Sequence, residues 1–120
     1  MVGIDIEEVG RINLDGKFLS KIAYQEEIDY IFNATNVELQ QQRVTALFCV
    51  KEAVMKALDM GTKSGVVFKD IQLCHKESGK PFVILHGKAF DKFNNCFQGK
   101  QIEVSISHTK NYATAIAIII

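Results

Sequence analysis

The sequence predicts an α+β domain in which one long helix packs against a mostly antiparallel sheet. Between about Asn36 and Met60 the chain contains no glycine or proline, and apolar residues recur every three or four positions, as along one face of a helix. Before and after this segment, short stretches alternate apolar and other residues, as strands do. The 120 residues contain no repeat or linker and suffice for one domain, so we expect residues 1–120 to form a single unit.

The first predicted element is a strand at residues 2–7, where apolar residues alternate with others. Successive side chains of a strand point to opposite faces, so we expect the apolar residues to face the core and Asp5 to stand on the other face. Those apolar residues are Val2, Ile4 and Ile6. Apolar residues at roughly helical spacing then predict an amphipathic helix at residues 17–33, which the segment 33–36 ends.

The long helix has start and stop residues of its own. Thr35 and Glu38 match the capping-box pattern, in which a hydroxyl and a carboxylate satisfy free backbone donors at a helix start. Gly61 is the predicted stop, because glycine readily adopts the left-handed conformation that ends many helices. The segment between them is the element that the pattern predicts most strongly.

Strands and one short helix account for the rest of the chain. Strands at residues 66–74 and 82–86 are predicted on either side of a turn that contains Gly79, and a short helix near 88–97 follows. Two more strands close the chain, with a hairpin-length break at residues 108–111. The resulting sheet is mostly antiparallel.

The C-terminal stretch Ala113–Ile120 is apolar on both of its predicted faces. A terminal strand of a small monomer usually has one face in water. We therefore expect another subunit to cover this strand.

Composition and charge narrow the classes of function. Fourteen Lys+Arg balance fourteen Asp+Glu, so the molecule has no overall field that would hold a nucleic acid or an anionic membrane. The longest apolar stretch is too short to span a bilayer, and the N-terminus lacks the pattern of a secretion signal. We expect no nucleic acid and no membrane as partners, and a cytoplasmic location.

The cysteines and histidines exclude two kinds of site. The three cysteines and three histidines are widely scattered, and fit neither a disulfide framework nor a histidine-rich metal site. We expect the cysteines to be plain thiols and carboxylates to hold any metal. No acid is placed to complete a Ser-His-Asp triad, which argues against hydrolase chemistry.

Glu52 and Lys56 are four residues apart on the long helix, and their side chains therefore lie on one side of it. A phosphate held by a metal ion could contact both of them. The same spacing is also that of a common surface ion pair worth about 0.2–0.5 kcal/mol, so the spacing alone does not decide between the two interpretations.

This pair belongs to a set of four sequence segments that occur in a fixed order. They are Gly3-Ile4-Asp5-Ile6 with Arg11 beyond it, Phe48–Ala57 with Lys51-Glu52-Ala53 and Lys56, Gly79-Lys80-Pro81, and Val104–Thr109. From Val2 to Ile118 this arrangement resembles the holo-acyl-carrier-protein synthases, the short trimeric branch of the 4′-phosphopantetheinyl transferases. Chains of the monomeric branch are about twice as long and contain two such units.

The resemblance implies the superfamily's fold and its reaction. Members transfer 4′-phosphopantetheine from coenzyme A to a serine of an apo acyl carrier protein in fatty acid biosynthesis, and release adenosine 3′,5′-bisphosphate. The resemblance also implies a homotrimer with its sites between subunits. A non-catalytic module that binds coenzyme A or the carrier protein is the alternative function.

The resemblance also implies roles for the residues of the first two segments. Asp5 and Glu52 would hold Mg²⁺ against the pyrophosphate, and Lys56 would contact the phosphate, which makes these three the expected catalytic residues. Lys51 would either contact coenzyme A or pair with an acid. The general base stays open among Glu52, Glu8 and a metal-bound water.

The other two segments would bind the nucleotide part of coenzyme A. The implied contacts are Gly79, Lys80, Pro81, Ser107, His108 and Thr109. For the last three, a plain polar turn is an equally simple interpretation. Arg11 matches the family arginine that meets the acidic carrier protein, and Lys17 and Lys21 either extend that basic patch or are ordinary surface residues.

One position departs from the family pattern. Leu47 stands where relatives commonly have an arginine, just before Phe48, and Arg43 lies one turn earlier. The departure leaves one phosphate or carrier contact without its usual residue.

Overall fold

The computed structural model describes residues 1–120, apart from the side chain of Thr62. The five strands are β1 (Val2–Glu8), β2 (Ile71–His75), β3 (Pro81–Leu85), β4 (Ile102–His108) and β5 (Tyr112–Ile119). The four α-helices are α1 (Gly16–Ile22), α2 (Gln25–Phe32), α3 (Val37–Ala57) and α4 (Gly87–Cys96). The predicted α+β class, with one long helix on antiparallel sheets, is confirmed.

The strands form two antiparallel sheets. One has the order β1-β5-β4, and the other is the β2-β3 hairpin. Helix α3 packs across the inner face of the larger sheet, where alternate alanines of β5 are buried beneath it. Of the helices in the described chain, none combines the length and the apolar character that a bilayer crossing demands.

Gly3 sets how closely β1 approaches α3. A Cβ atom on Gly3 would lie 2.0 Å from the carbonyl oxygen of Ala53 and 2.6 Å from the backbone nitrogen of Ala57. No side chain fits in that space, so glycine lets the strand and the helix touch through their backbones. Residues next to Gly3 on the same face of β1 therefore point at α3.

The predicted orientation of β1 is wrong. Val2, Ile4 and Ile6 are 61%, 61% and 63% exposed, whereas Gly3 is buried and Asp5 is partly covered by α3. The face of β1 that carries Gly3 and Asp5 packs against α3, because only glycine leaves room for a helix at this short distance. The opposite face, with Val2, Ile4 and Ile6, is therefore left on the outside of the sheet. We call these three residues the isoleucine row.

The single helix predicted at 17–33 is also wrong, because the chain forms α1 and α2 with a break between them. Ala23 and Tyr24 are extended. The Glu27 carboxylate accepts a hydrogen bond of 2.8 Å from the backbone nitrogen of Tyr24, and this bond starts a new helix. Apolar spacing alone does not reveal such an internal cap.

Three boundaries differ in detail from the sequence-based ones. Asn36, not Thr35, caps α3, because its side-chain oxygen accepts the Leu39 backbone N–H at 2.8 Å. Helix α3 stops at Ala57, before Gly61. The strand predicted from residue 66 begins only at Ile71, since Phe68–Asp70 forms a short 3₁₀ turn first.

Candidate active site

Two acidic side chains converge where β1 meets α3. Asp5 projects from the inner face of the strand toward the helix, where it lies close enough to Glu52 for its charge to raise the pKa of that carboxyl. The Asp5 Oδ1 atom lies 3.3 Å from the Lys56 ammonium, which also donates a 2.9 Å hydrogen bond to the Ile4 carbonyl oxygen. The structure thus brings together the three residues that the sequence singled out as catalytic.

The second oxygen of Asp5 has no partner. Oδ2 is buried and accepts no hydrogen bond from the part of the chain that the structure describes. A buried carboxylate oxygen without a partner costs free energy unless a donor or a cation meets it. This atom therefore marks a position suited to a cation.

The charges around Glu52 also favour a cation at this position. Burial raises the pKa of Glu52, and the nearby Asp5 charge raises it further, while Lys56 partly offsets these effects. Glu7, which shares the inner face of β1 with Asp5, also contributes to the raised pKa of Glu52. A bound cation would relieve this crowding of negative charge.

The donor set at this point fits magnesium. Mg²⁺ is usually held by one or two carboxylates, with waters and substrate phosphates completing its shell. Asp5 and Glu52 supply two such groups. Among the described residues there is no cluster of three or more acidic, histidine or cysteine side chains that would form an all-protein metal cage.

A cleft of about 520 Å³ opens beside this pair. Helix α3 forms one side, and the segment that precedes β2 forms the other. Its lining includes Lys21, Glu52, Met55, Lys56, Val66 and Phe68. We call this cleft the carboxylate cleft. Since it joins two cationic side chains to Glu52 over an apolar floor, it suits a charged and partly apolar ligand.

Lys51 does not join Glu52 in the cleft. Its side chain is fully buried, its ammonium lies 3.0 Å from the Glu27 carboxylate, and it also donates to the Phe68 and Ile71 carbonyl oxygens. Burial lowers the pKa of Lys51, and the Glu27 charge opposes that shift. The expectation that Lys51 contacts coenzyme A is corrected accordingly, because all of its donors are used inside the protein, and the pairing with an acid is the interpretation that holds.

Three of the six loop residues expected at the nucleotide lie together in a second cleft, of about 240 Å³. Gly79, Pro81 and His108 line it, together with Tyr30 and Arg43, which no motif pointed to as a pair. We call it the loop cleft. Tyr30 and Arg43 come from α2 and α3 and are distant in sequence, so only the fold reveals that they meet.

Three other expected nucleotide residues are placed differently. The Lys80 ammonium pairs with Glu103 at 3.5 Å on the surface. The Thr109 hydroxyl accepts the backbone N–H groups of Asn111 and Tyr112, and so holds the β4–β5 turn. Ser107 lines a shallow groove on the outer face of the sheet and not the loop cleft.

The two clefts do not converge within one chain. Arg43 in the loop cleft and Glu52 in the carboxylate cleft are nine positions apart on α3. At about 1.5 Å and 100° per residue they lie roughly 13 Å apart along the helix and on opposite sides of it.

The comparisons with known proteins agree with this fold. The family model for the 4′-phosphopantetheinyl transferase superfamily matches residues 1–117. The chain belongs to the 4′-phosphopantetheinyl transferase superfamily. Within it, the chain is 43% identical to the holo-[acyl-carrier-protein] synthase of Thermoanaerobacter sp. (strain X514), over 99% of this chain and 86% of that protein.

Further relatives extend this similarity. The chain is 35% identical to the holo-[acyl-carrier-protein] synthase of Koribacter versatilis (strain Ellin345), over 98% of this chain and 94% of that one. It superimposes with a TM-score of 0.81 on the crystal structure of Helicobacter pylori holo-[acyl-carrier-protein] synthase in complex with coenzyme A. That pair is 27% identical over 100% of both chains. The resemblance drawn from the ordered motifs is confirmed.

Proposed function

We propose that this superfamily member transfers 4′-phosphopantetheine from coenzyme A to a serine of an apo acyl carrier protein, and that it releases adenosine 3′,5′-bisphosphate. The observation that carries the proposal is the convergence of Asp5, Glu52 and Lys56 where β1 meets α3, beside the carboxylate cleft. The names of the relatives support the same reaction. We place this activity in fatty acid biosynthesis, in the cytoplasm.

Asp5 and Glu52 would hold Mg²⁺ at this cleft. The unpartnered Asp5 Oδ2 and the crowded Glu52 carboxylate both favour a divalent ion. When bound, Mg²⁺ supplies positive charge against the pyrophosphate oxygens. The carboxylates orient that charge toward the cleft.

Lys56 would contact the phosphate that leaves. Its ammonium is tethered to the Ile4 carbonyl oxygen and to Asp5, yet its side chain remains 54% exposed. A lysine carries three donors, so one remains free to stabilise charge on the leaving group.

The serine proton has two candidate acceptors among the protein side chains. Glu52 faces the carboxylate cleft, whereas Glu8 is exposed and lies on the face of β1 opposite Asp5. Within one chain the structure therefore favours Glu52 as the general base.

The carrier protein would approach over exposed basic residues. Arg11 is exposed just after β1, and Lys21 lines the carboxylate cleft itself. Carrier proteins present acidic surface to their enzymes, so we expect rising salt to weaken this encounter.

A homotrimer would complete the site. The outer row of Val2, Ile4 and Ile6 is more than half exposed, which is unusual for an apolar sheet face. The carboxylate cleft and the loop cleft lie on opposite sides of α3. Cyclic assembly through the outer face would let the loop cleft of one subunit complete the carboxylate cleft of the next.

A transfer assay tests the proposed reaction. We expect an apo carrier protein to gain the mass of phosphopantetheine with coenzyme A and Mg²⁺, and not with a chelator present. Glu52→Gln should remove the activity, with an expected loss of at least about 2.7 kcal/mol in transition-state stabilisation. The exposed Asp91→Asn is the matched control and should leave the rate unchanged. An unchanged carrier mass despite tight coenzyme A binding would favour the non-catalytic module instead.

Mixed oligomers test the shared site. Glu52→Gln damages the carboxylate cleft, and His108→Glu puts a negative charge in the loop cleft. If each site combines the carboxylate cleft of one subunit with the loop cleft of the next, each of the two clefts is intact in about one half of the cases in a random mixture. Coexpression of the two variants should therefore restore about a quarter of the sites. No recovery in oligomers shown to be mixed would contradict a site between subunits.

A further inference from the structure

An arginine is held in a fixed position on the wall of the loop cleft. The Arg43 guanidinium lies 4.3 Å from the centre of the Tyr30 ring and donates a 2.7 Å hydrogen bond to the Tyr30 carbonyl oxygen. Tyr30 in turn stacks on His75, with ring centres 4.2 Å apart and an angle of 18° between the planes. Three side chains from α2, α3 and β2 thus form one continuous stack.

This stack leaves most of the arginine's donors available. A guanidinium has five N–H groups, and the Tyr30 carbonyl oxygen occupies one side of it. Because the stack and this bond already restrict the side chain, less conformational entropy is lost when a ligand binds. Arg43 is therefore a pre-positioned anion-binding group.

Arg43 is also the cation that defines the charge of this cleft. Among the described residues that line the loop cleft, it is the only lysine or arginine. Burial and the neighbouring Arg43 both lower the pKa of His75, which favours a neutral ring. The Lys80 ammonium is directed to Glu103.

We propose that Arg43 binds the ribose 3′-phosphate of coenzyme A and makes the enzyme select coenzyme A over dephospho-coenzyme A. The inference rests on the proposed function, in which the pyrophosphate is held at the carboxylate cleft. The ribose phosphate is then the one remaining phosphate of the substrate. A phosphate monoester carries a charge of about −1.5 to −2 at neutral pH and suits the forked guanidinium.

Residue 47, where relatives commonly have an arginine, cannot supply a positive charge to the loop cleft in this chain. Leu47 lies about one helical turn after Arg43, is 3% exposed and lines an adjacent cavity of about 310 Å³ but not the loop cleft. Position 47 contributes only apolar surface there. In this chain the guanidinium comes from residue 43, fixed by a tyrosine.

Rates with two substrates test the proposal. The probes are coenzyme A and dephospho-coenzyme A, which differ only in the 3′-phosphate. We expect the wild-type enzyme to prefer coenzyme A in kcat/KM by on the order of 10–100-fold, since charge-assisted hydrogen bonds are worth about 1.5–3 kcal/mol. Arg43→Met keeps the apolar stem on Tyr30 and should abolish the preference, by lowering kcat/KM for coenzyme A toward the value for dephospho-coenzyme A. A preference that survives in this variant overturns the proposal.

Three comparisons separate the alternatives. Arg43→Lys keeps the charge but loses the fork, and should retain an intermediate preference. Lys100→Gln removes an exposed cation away from the cleft and should retain the full preference. A merely structural role for Arg43 would lower the rates on both substrates equally, and that result also overturns the proposal.

Binding measurements keep the inference testable if the transfer reaction itself is absent. The probes are adenosine 3′,5′-bisphosphate and adenosine 5′-monophosphate, with calorimetry as the readout. Tighter binding of the bisphosphate by the wild type, lost in Arg43→Met, supports the role of Arg43 even if no carrier protein is modified. Equal affinities of the wild type for the two nucleotides overturn it, and this arm needs no folded variant.

Discussion

The buried ion pair between Lys51 and Glu27 gives a quantitative prediction about stability. The side chains are 0% and 1% exposed, and the charged atoms lie 3.0 Å apart. Lys51→Met keeps the length of the stem but leaves the Glu27 carboxylate buried without its cation. It also takes the donor away from the carbonyl oxygens of Phe68 and Ile71. Removal of one partner from a buried pair costs about 3–5 kcal/mol, a large share of the roughly 5–15 kcal/mol that stabilises a small domain.

A double-mutant cycle separates this effect from lost packing. Glu27→Gln alone leaves the Lys51 ammonium without its anion, whereas the two changes together leave no uncompensated charge. We therefore expect the double variant to be less destabilised than the sum of the single ones, by roughly 1–3 kcal/mol. Urea unfolding at fixed protein concentration measures this, and the exposed Lys100→Met should shift stability by less than about 0.5 kcal/mol.

The cycle also has a result that would refute the reasoning. Additivity within about 0.5 kcal/mol would mean that the two charges do not stabilise each other. The ion pair would then add nothing to the other contacts that hold helix α2, helix α3 and strand β2 together.

Three further predictions follow from other parts of the fold. Gly3→Ala should destabilise the protein by several-fold more than the roughly 0.5 kcal/mol of an ordinary surface change, because the new Cβ would meet the Ala53 carbonyl oxygen at 2.0 Å; thermal unfolding measures this. The folded-state pKa of His75 is lowered, first by burial and then by Arg43. The contribution of His75 to stability is therefore present above the unfolded pKa of 6.5 and is lost as the pH falls through the folded pKa. NMR titration of His75 should show a midpoint below 6.5, and Arg43→Met should raise that midpoint. Burial raises the pKa of Cys49 to about 12, so this thiol should resist alkylation at pH 8 in the folded protein and react after unfolding, as mass spectrometry of the alkylated protein would show.

Local sequence patterns predict those elements whose own residues specify them. Helix α3 has no residue that breaks a helix, and its start is predicted to within one residue, at Thr35 where Asn36 is the cap. The β4–β5 hairpin follows from the alternating residues of β4, a polar turn and the apolar stretch that forms β5. Asp5 and Glu52 could be paired because both belong to motifs that occur in a fixed order, although nothing in their separation of 47 positions specifies a contact.

Features that depend on contacts between distant residues could not be predicted. The break before α2 depends on Glu27, whose carboxylate also accepts the Leu73 backbone N–H at 2.9 Å and pairs with Lys51. From the sequence, Lys51 is one more charged residue of a motif, and only the fold places it in the interior. The stack that fixes Arg43 is likewise a product of tertiary structure.

The error in the orientation of β1 connects the catalytic site to assembly. Because strand residues alternate, the face that presents Asp5 to α3 necessarily turns Ile4 and Ile6 to the outside. A shift of one residue in the pairing of β1 with β5 would bury the isoleucines, but it would also turn Asp5 away from Lys56 and Glu52. Gly3 opposes that shift, since any other residue at its place would clash with α3. The exposed isoleucine row is therefore a direct consequence of the position of the carboxylate, and a partner subunit that covered the row, as in the proposed trimer, would stabilise the same register that makes the site.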